Sequence, residues 1–281
     1  MVLKLSLIYY FSTMIQRARQ TVAIHFFRNV TRSWFVVTYL GQLFFAYYIL
    51  MLYWKSTALG HFEKWNSVNP HFYAKGDIVG NLFFGLHVAV AAVVTILGPL
   101  QLVTKIRKKA PRFHRVSGRV YIYSAFLISL GGLYLTWVRG AVGGPFMQVI
   151  ISINALIILV CAFYSIKYAI KRKINLHNQW AVHLLLAMSG VWLFRVFFML
   201  WMVIHRAPVG FDPETFTGPF LSALSVFVYI LPQGVVALYF KAKFSGSPYR
   251  KWGFSVMLLI ITLAIAVGTF GAVGGMWLPR I

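Results

Sequence analysis

The chain has 281 residues, 60% of them hydrophobic and 11% charged, and its net charge of +23 comes from 27 Lys and Arg against four acids, Glu63, Asp77, Asp212 and Glu214. Soluble domains are about a quarter charged, so this composition excludes a water-soluble globule and requires lipid as the solvent of the apolar residues. The single cysteine, Cys161, excludes an internal disulfide framework and a cysteine metal cluster. The basic residues lie in short loops between long apolar runs, which assigns them to membrane orientation rather than to nucleic acid.

Residues 1–32 contain no acid, and a short apolar run, Leu5 to Phe11, is followed by Arg17, Arg19, Arg28 and Arg32. No convincing small-residue cleavage site follows the run, so the segment reads as an amphipathic interfacial helix, with a cleaved organellar targeting segment as the rival. Residues 33–281 read as one transmembrane domain. A hydrocarbon layer of about 30 Å needs about 20 helical residues. Seven segments qualify: Ser33 to Trp54, Val79 to Val103, Gly118 to Val138, Phe146 to Ile170, Asn178 to Ile204, Thr217 to Phe240 and Trp252 to Met276. The expected fold is therefore an all-α polytopic bundle. With the N-terminus inside, 20 basic residues fall on the inner side and six on the outer, with Arg195 inside a span and all four acids outside. The positive-inside rule then selects this orientation. The setting is a bacterial inner membrane, or alternatively a mitochondrial one, with anionic inner-leaflet lipids as partners. The outer loop Lys55 to Ile78 is rich in aromatic and turn residues and is expected to fold over the mouth of the bundle.

Ionisable groups within spans are functional candidates by default. His87 sits on a stripe of the second span with Gly80, Phe84, Ala91, Thr95 and Gly98, whose small residues admit a porphyrin, a quinone or another helix. A histidine satisfied by a neighbouring hydroxyl or carbonyl is the structural alternative. Arg195 lies at similar depth in the fifth span, with no acid in any span to pair with it. It must bond carbonyls, snorkel, reach Asp77 or hold a non-protein anion. At the inner mouth, Pro111 is placed to start a helix carrying His114, and His177 opens the fifth span. His183 lies six residues beyond His177, about 9 Å deeper and about 120° around the helix, so the two cannot grip one metal from a regular helix. Metal-ligand spacings, phosphate loops and dinucleotide fingerprints are missing from the sequence.

Three pieces of the chain resemble a bacterial family of predicted multi-spanning membrane proteins, catalogued as domain of unknown function 2306. These are His87 followed by Gly98-Pro99-Leu100-Gln101-Leu102, then His114-Arg115 with Gly118-Arg119 and Tyr121, and His177 with Trp180 and Arg195. The resemblance runs from about Leu82 to Arg195 and implies a helical membrane core of about residues 79–204. Family members often carry arginine where this chain has His183. A looser similarity is to transmembrane di-haem cytochromes b, in which histidines of a helical bundle ligate haem.

The expected function is accordingly a membrane redox protein that binds b-type haem or quinone among the second to fifth spans for electron transfer. His87, His114, His177 and His183 are the candidate haem-iron ligands, and Arg195 is the partner of a propionate or a quinone oxygen. Two other classes stay open. One is an accessory subunit contacting other chains of a membrane complex, and the other is a transporter of a small anion through a site at His87 and Arg195.

Overall fold

A computed structural model describes residues 2–68, 72–140 and 143–281, with side chains for Tyr10 and from Met14 onward. His71, a further outer-side histidine, lies outside the described residues. Among the described residues the structure is all-α apart from one antiparallel bridge between Asp212 and Thr217. Among the described residues, six helices are long and apolar enough to cross a bilayer, and a bent pair makes a seventh if it counts as one span. The protein is thus an integral membrane protein, and its exposed apolar faces follow from that. Leu82, Leu130, Leu156, Ile260 and Phe270 all project outward, as side chains solvated by lipid should.

Helix α1 (Val2–Ile49) has 48 residues, about 72 Å at 1.5 Å per residue. It contains no proline and no glycine before Gly41, so nothing interrupts it between the basic N-terminal segment and the first span. The basic N-terminal segment, from Val2 on, is helical and continuous with the first span. A π turn at Leu50–Trp54 and the short α2 (Lys55–Ala58) complete this rod. Helix α3 (Ile78–Leu100) is capped by Asp77, whose carboxylate accepts from Gly80 N at 2.8 Å. After α4 (Thr104–Lys109), α5 (Pro111–Val138) begins on Pro111. Proline fits there because the first helical N–H has no intrahelical acceptor. Helix α6 spans Gly144–Ile170.

The fifth predicted span is broken. Helices α7 (Ile174–Met188) and α8 (Gly190–His205) meet at Ser189 with a bend of 52°, at a Ser-Gly pair of the kind that kinks helices. The sixth span, Pro219–Lys243, crosses as one unit, with only a local interruption between α9 (Pro219–Tyr229) and α10 (Leu231–Lys243), where Pro232 lacks the N–H that would continue the ladder. Helix α11 (Pro248–Ala272) closes the bundle against α1 and α8. Around the ring, α1 packs on α3, α3 on α5 and α5 on α6. From α6 the packing continues through α7 and α9 to α8 and α11. The largest core cluster joins α1, α8, α9 and α11 around Tyr48, Trp192, Val196 and Ile265.

The loop between α2 and α3 folds over one end of the ring. Trp65 is buried against Tyr53, Phe84, Phe62 and Tyr73, and its Nε1 donates to Ser56 Oγ. Asn66 holds the loop closed through both backbone groups of Tyr73. Arg139, at the end of α5, then clamps the loop by donating to Phe72 O, Asp77 Oδ2 and Asn81 Oδ1.

Candidate functional site

One cavity of about 1140 Å³ occupies the interior of the ring. Its wall includes residues of α1, α3, α5, α6 and the α7–α8 pair, and its mouth lies beside Arg139, Pro208, Glu214 and Arg280. On α5 the lining extends from Arg139 down to Tyr121, 18 residues or about 27 Å along the axis. Most of the wall is apolar or aromatic, as in pockets for sizeable organic ligands.

His87 and Arg195 both line this cavity, from α3 and α8 respectively. The His87 ring rests on α5 at Gly131 and Gly132, where a β-carbon on Gly132 would come within 3.3 Å of the ring. Its Nδ1 is buried and has no hydrogen-bond partner in the protein, so the satisfied-histidine alternative does not describe that nitrogen. The expected stripe on α3 divides by function. Phe84, His87, Ala91 and Thr95 line the cavity, whereas Gly80 packs on Arg139 and Gly98 on the Tyr121 ring.

Arg195 donates from Nη1 to Val191 O, one turn earlier on its own helix, and its guanidinium lies 5.4 Å from the Phe45 ring centroid. It does not reach Asp77. That carboxylate belongs to Arg139, in the one ion pair among the described residues. Arg139 is also the main reason the Asp77 carboxyl is held below its ordinary range, with the Gly80 N–H second.

The remaining three candidates lie elsewhere. His183 faces α10, where its Nδ1 donates to Gln233 Oε1 at 2.7 Å. His177 donates from Nδ1 to Ser165 O at 2.9 Å; a carbonyl only accepts, so the proton sits on Nδ1. His114, on the first turn of α5, has a buried Nδ1 with no hydrogen-bond partner in the protein. His114, His177 and His183 thus lie outside the lining of the cavity that holds His87 and Arg195.

Haem sets a strict condition on the cavity, because bis-histidine ligation needs two imidazoles at matched depth. His87 is the only histidine in the described wall, so the wall does not fit a bis-histidine haem. No cluster of three or more His, Cys, Asp or Glu among the described residues suits a metal ion.

The sequence reading missed the polar groups around the helix break. In a regular helix Ala187 O would accept from Val191 N; here it accepts from Asn154 Nδ2 of α6 at 3.2 Å. Ser189 Oγ donates to Leu185 O and accepts from Gln42 Nε2 of α1 at 2.8 Å. Gly190 lets the Tyr229 ring press against the break, since a β-carbon there would lie 2.5 Å from it. Gln42, Asn154, Ser189 and Tyr229 all line the cavity. The usable signals were uncharged amides inside apolar runs and the Ser189-Gly190 pair in the middle of a span.

Residues 84–212 match the family model described as predicted membrane protein (DUF2306). The DUF2306 segment begins at Phe84 on α3 and ends at Asp212 beyond α8, so it contains His87, His114, Asn154, His177 and Arg195 but not Gln42. Within it, Gln101 donates to Ser117 Oγ at 2.8 Å and Trp180 stacks on Tyr164 at 4.6 Å. No curated protein and no solved structure matches the chain.

Proposed function

We propose that this membrane protein binds a quinone in the central cavity and serves electron transfer. The observation that supports this reading is the pairing, in one deep and largely apolar cavity, of a histidine with an unpartnered nitrogen and an arginine without a carboxylate. A quinone matches both parts of the cavity. Its isoprenoid tail is solvated by the aromatic and aliphatic wall, and its carbonyl oxygens accept hydrogen bonds. Arg195 would offset the negative charge that develops on a quinone oxygen during reduction, and His87 would donate to an oxygen or relay a proton to it. Conversion to the quinol takes up two electrons and two protons, and a reduced electron-carrier protein of the same membrane would supply the electrons.

The test is the quinone content of protein purified in mild detergent, extracted into organic solvent and read by the absorbance change on borohydride reduction. Wild type is expected to carry quinone near stoichiometry. Arg195→Leu and His87→Leu are each expected to lose at least tenfold in affinity, equivalent to about 1.4 kcal/mol. Equal content in all three proteins would refute the reading. A Soret band with sharp α and β bands after dithionite would replace quinone with haem.

A further inference from the structure

Gln42 and Asn154, two residues of the cavity wall, carry amide groups whose orientation is settled by their partners. Ser189 Oγ already donates to Leu185 O, so it must accept from Gln42, and the bonded end of Gln42 is its NH₂. Ala187 O only accepts, so the bonded end of Asn154 is also its NH₂. The free ends are therefore both carbonyl oxygens. Gln42 Oε1 and Asn154 Oδ1 are buried without partners, on residues only 3% and 6% exposed. Two acceptors with no donor, at the middle of membrane spans, are expensive to leave unmatched. Both residues are fixed by the helix break and neither is free to turn its NH₂ inward.

A cation is the first ligand class such oxygens suggest. Arg195 on α8, six residues beyond Ser189 and lining the same cavity, disfavours a second positive charge there. A neutral donor remains, and in an apolar cavity the compact neutral donor is a hydroxyl. We infer that Gln42 Oε1 and Asn154 Oδ1 form a hydroxyl-recognising subsite, which selects ligands whose buried head group donates hydrogen bonds. If the quinone reading holds, this subsite prefers the quinol, whose O–H groups donate, over the quinone, whose carbonyls only accept. Sites built to pair a buried polar group discriminate strongly against analogues that leave it unpaired.

The experiment uses the full chain in detergent micelles and three probes: 4-decylphenol, its methyl ether and decylbenzoquinone. Binding is followed by tryptophan fluorescence, with Trp192 in the cavity wall as reporter. The phenol is expected to bind at least tenfold more tightly than the ether. That ratio is expected to fall to about one in Gln42→Met and in Asn154→Leu. Gln42→Glu, which when neutral keeps both a carbonyl acceptor and a donor for Ser189, is expected to retain it. Thermal melting of each variant verifies folding. Phenol selectivity that depends on these residues, without quinone binding, would support the subsite and remove the quinone reading. Quinone binding with no preference between phenol and ether would overturn the subsite and keep the quinone reading. Binding of none of the probes would overturn both.

Discussion

Asp77 shows how one residue at the mouth couples pH to structure. Arg139 and the Gly80 N–H favour its charged form, so its folded value lies below the ordinary 3.8. A depressed carboxyl contributes stability that is complete above the unfolded value and is lost as pH falls through the folded one. The contact between the loop and α5 is therefore expected to weaken below about pH 3.8, not at neutral pH. Melting temperatures of wild type and Asp77→Asn should differ by a constant amount above pH 5 and converge under more acid conditions. Gly190 offers a second residue-scale test. The Tyr229 ring is 5% exposed and would lie 2.5 Å from an added β-carbon, so Gly190→Ala is expected to destabilise by about 1–3 kcal/mol through overpacking. An unchanged melting temperature would show that the ring yields.

At the scale of elements, the break between α7 and α8 and the loop over the mouth are the two features that shape the cavity. A span interrupted at mid-membrane is tolerated where the freed backbone groups find partners or line a cavity. Here Asn154 supplies the partner for Ala187 O, and Gln42 anchors Ser189 from across the bundle. The loop owes its position to Trp65, 4% exposed amid four aromatic rings. Trp65→Ala is expected to cost about 3–5 kcal/mol and to speed ligand release from the cavity, measured as the dissociation rate of a bound quinone. A destabilised variant with an unchanged dissociation rate would separate the loop from access to the site.

For the whole molecule, the proposed orientation places the end that carries His114, His177 and the largest basic cluster, Lys105 to Arg119, inside. A cysteine near Lys108 is expected to be protected from an impermeant thiol reagent in intact cells and to react once the membrane is opened. Cysteine pairs at or one turn from His114 and His177 are predicted to cross-link through a short reagent, and failure at every register in folded protein would contradict the proposed proximity of the two histidines.

The sequence by itself determined the all-α membrane fold, the approximate span boundaries, the start of α5 at Pro111 and the candidates His87 and Arg195. Each of these rests on a local quantity, such as the length of an apolar run, a proline without an N–H or an ion in hydrocarbon. Only the tertiary structure decided that Asp77 pairs with Arg139, that His183 turns to Gln233, and that α1 continues through the basic N-terminal segment as one rod. It alone showed that Gln42, Asn154 and Ser189 meet at a broken span. Those outcomes depend on which groups come within hydrogen-bonding distance after helices far apart in the chain have packed, and hydrophobic periodicity along one helix holds no information about the partner across the bundle.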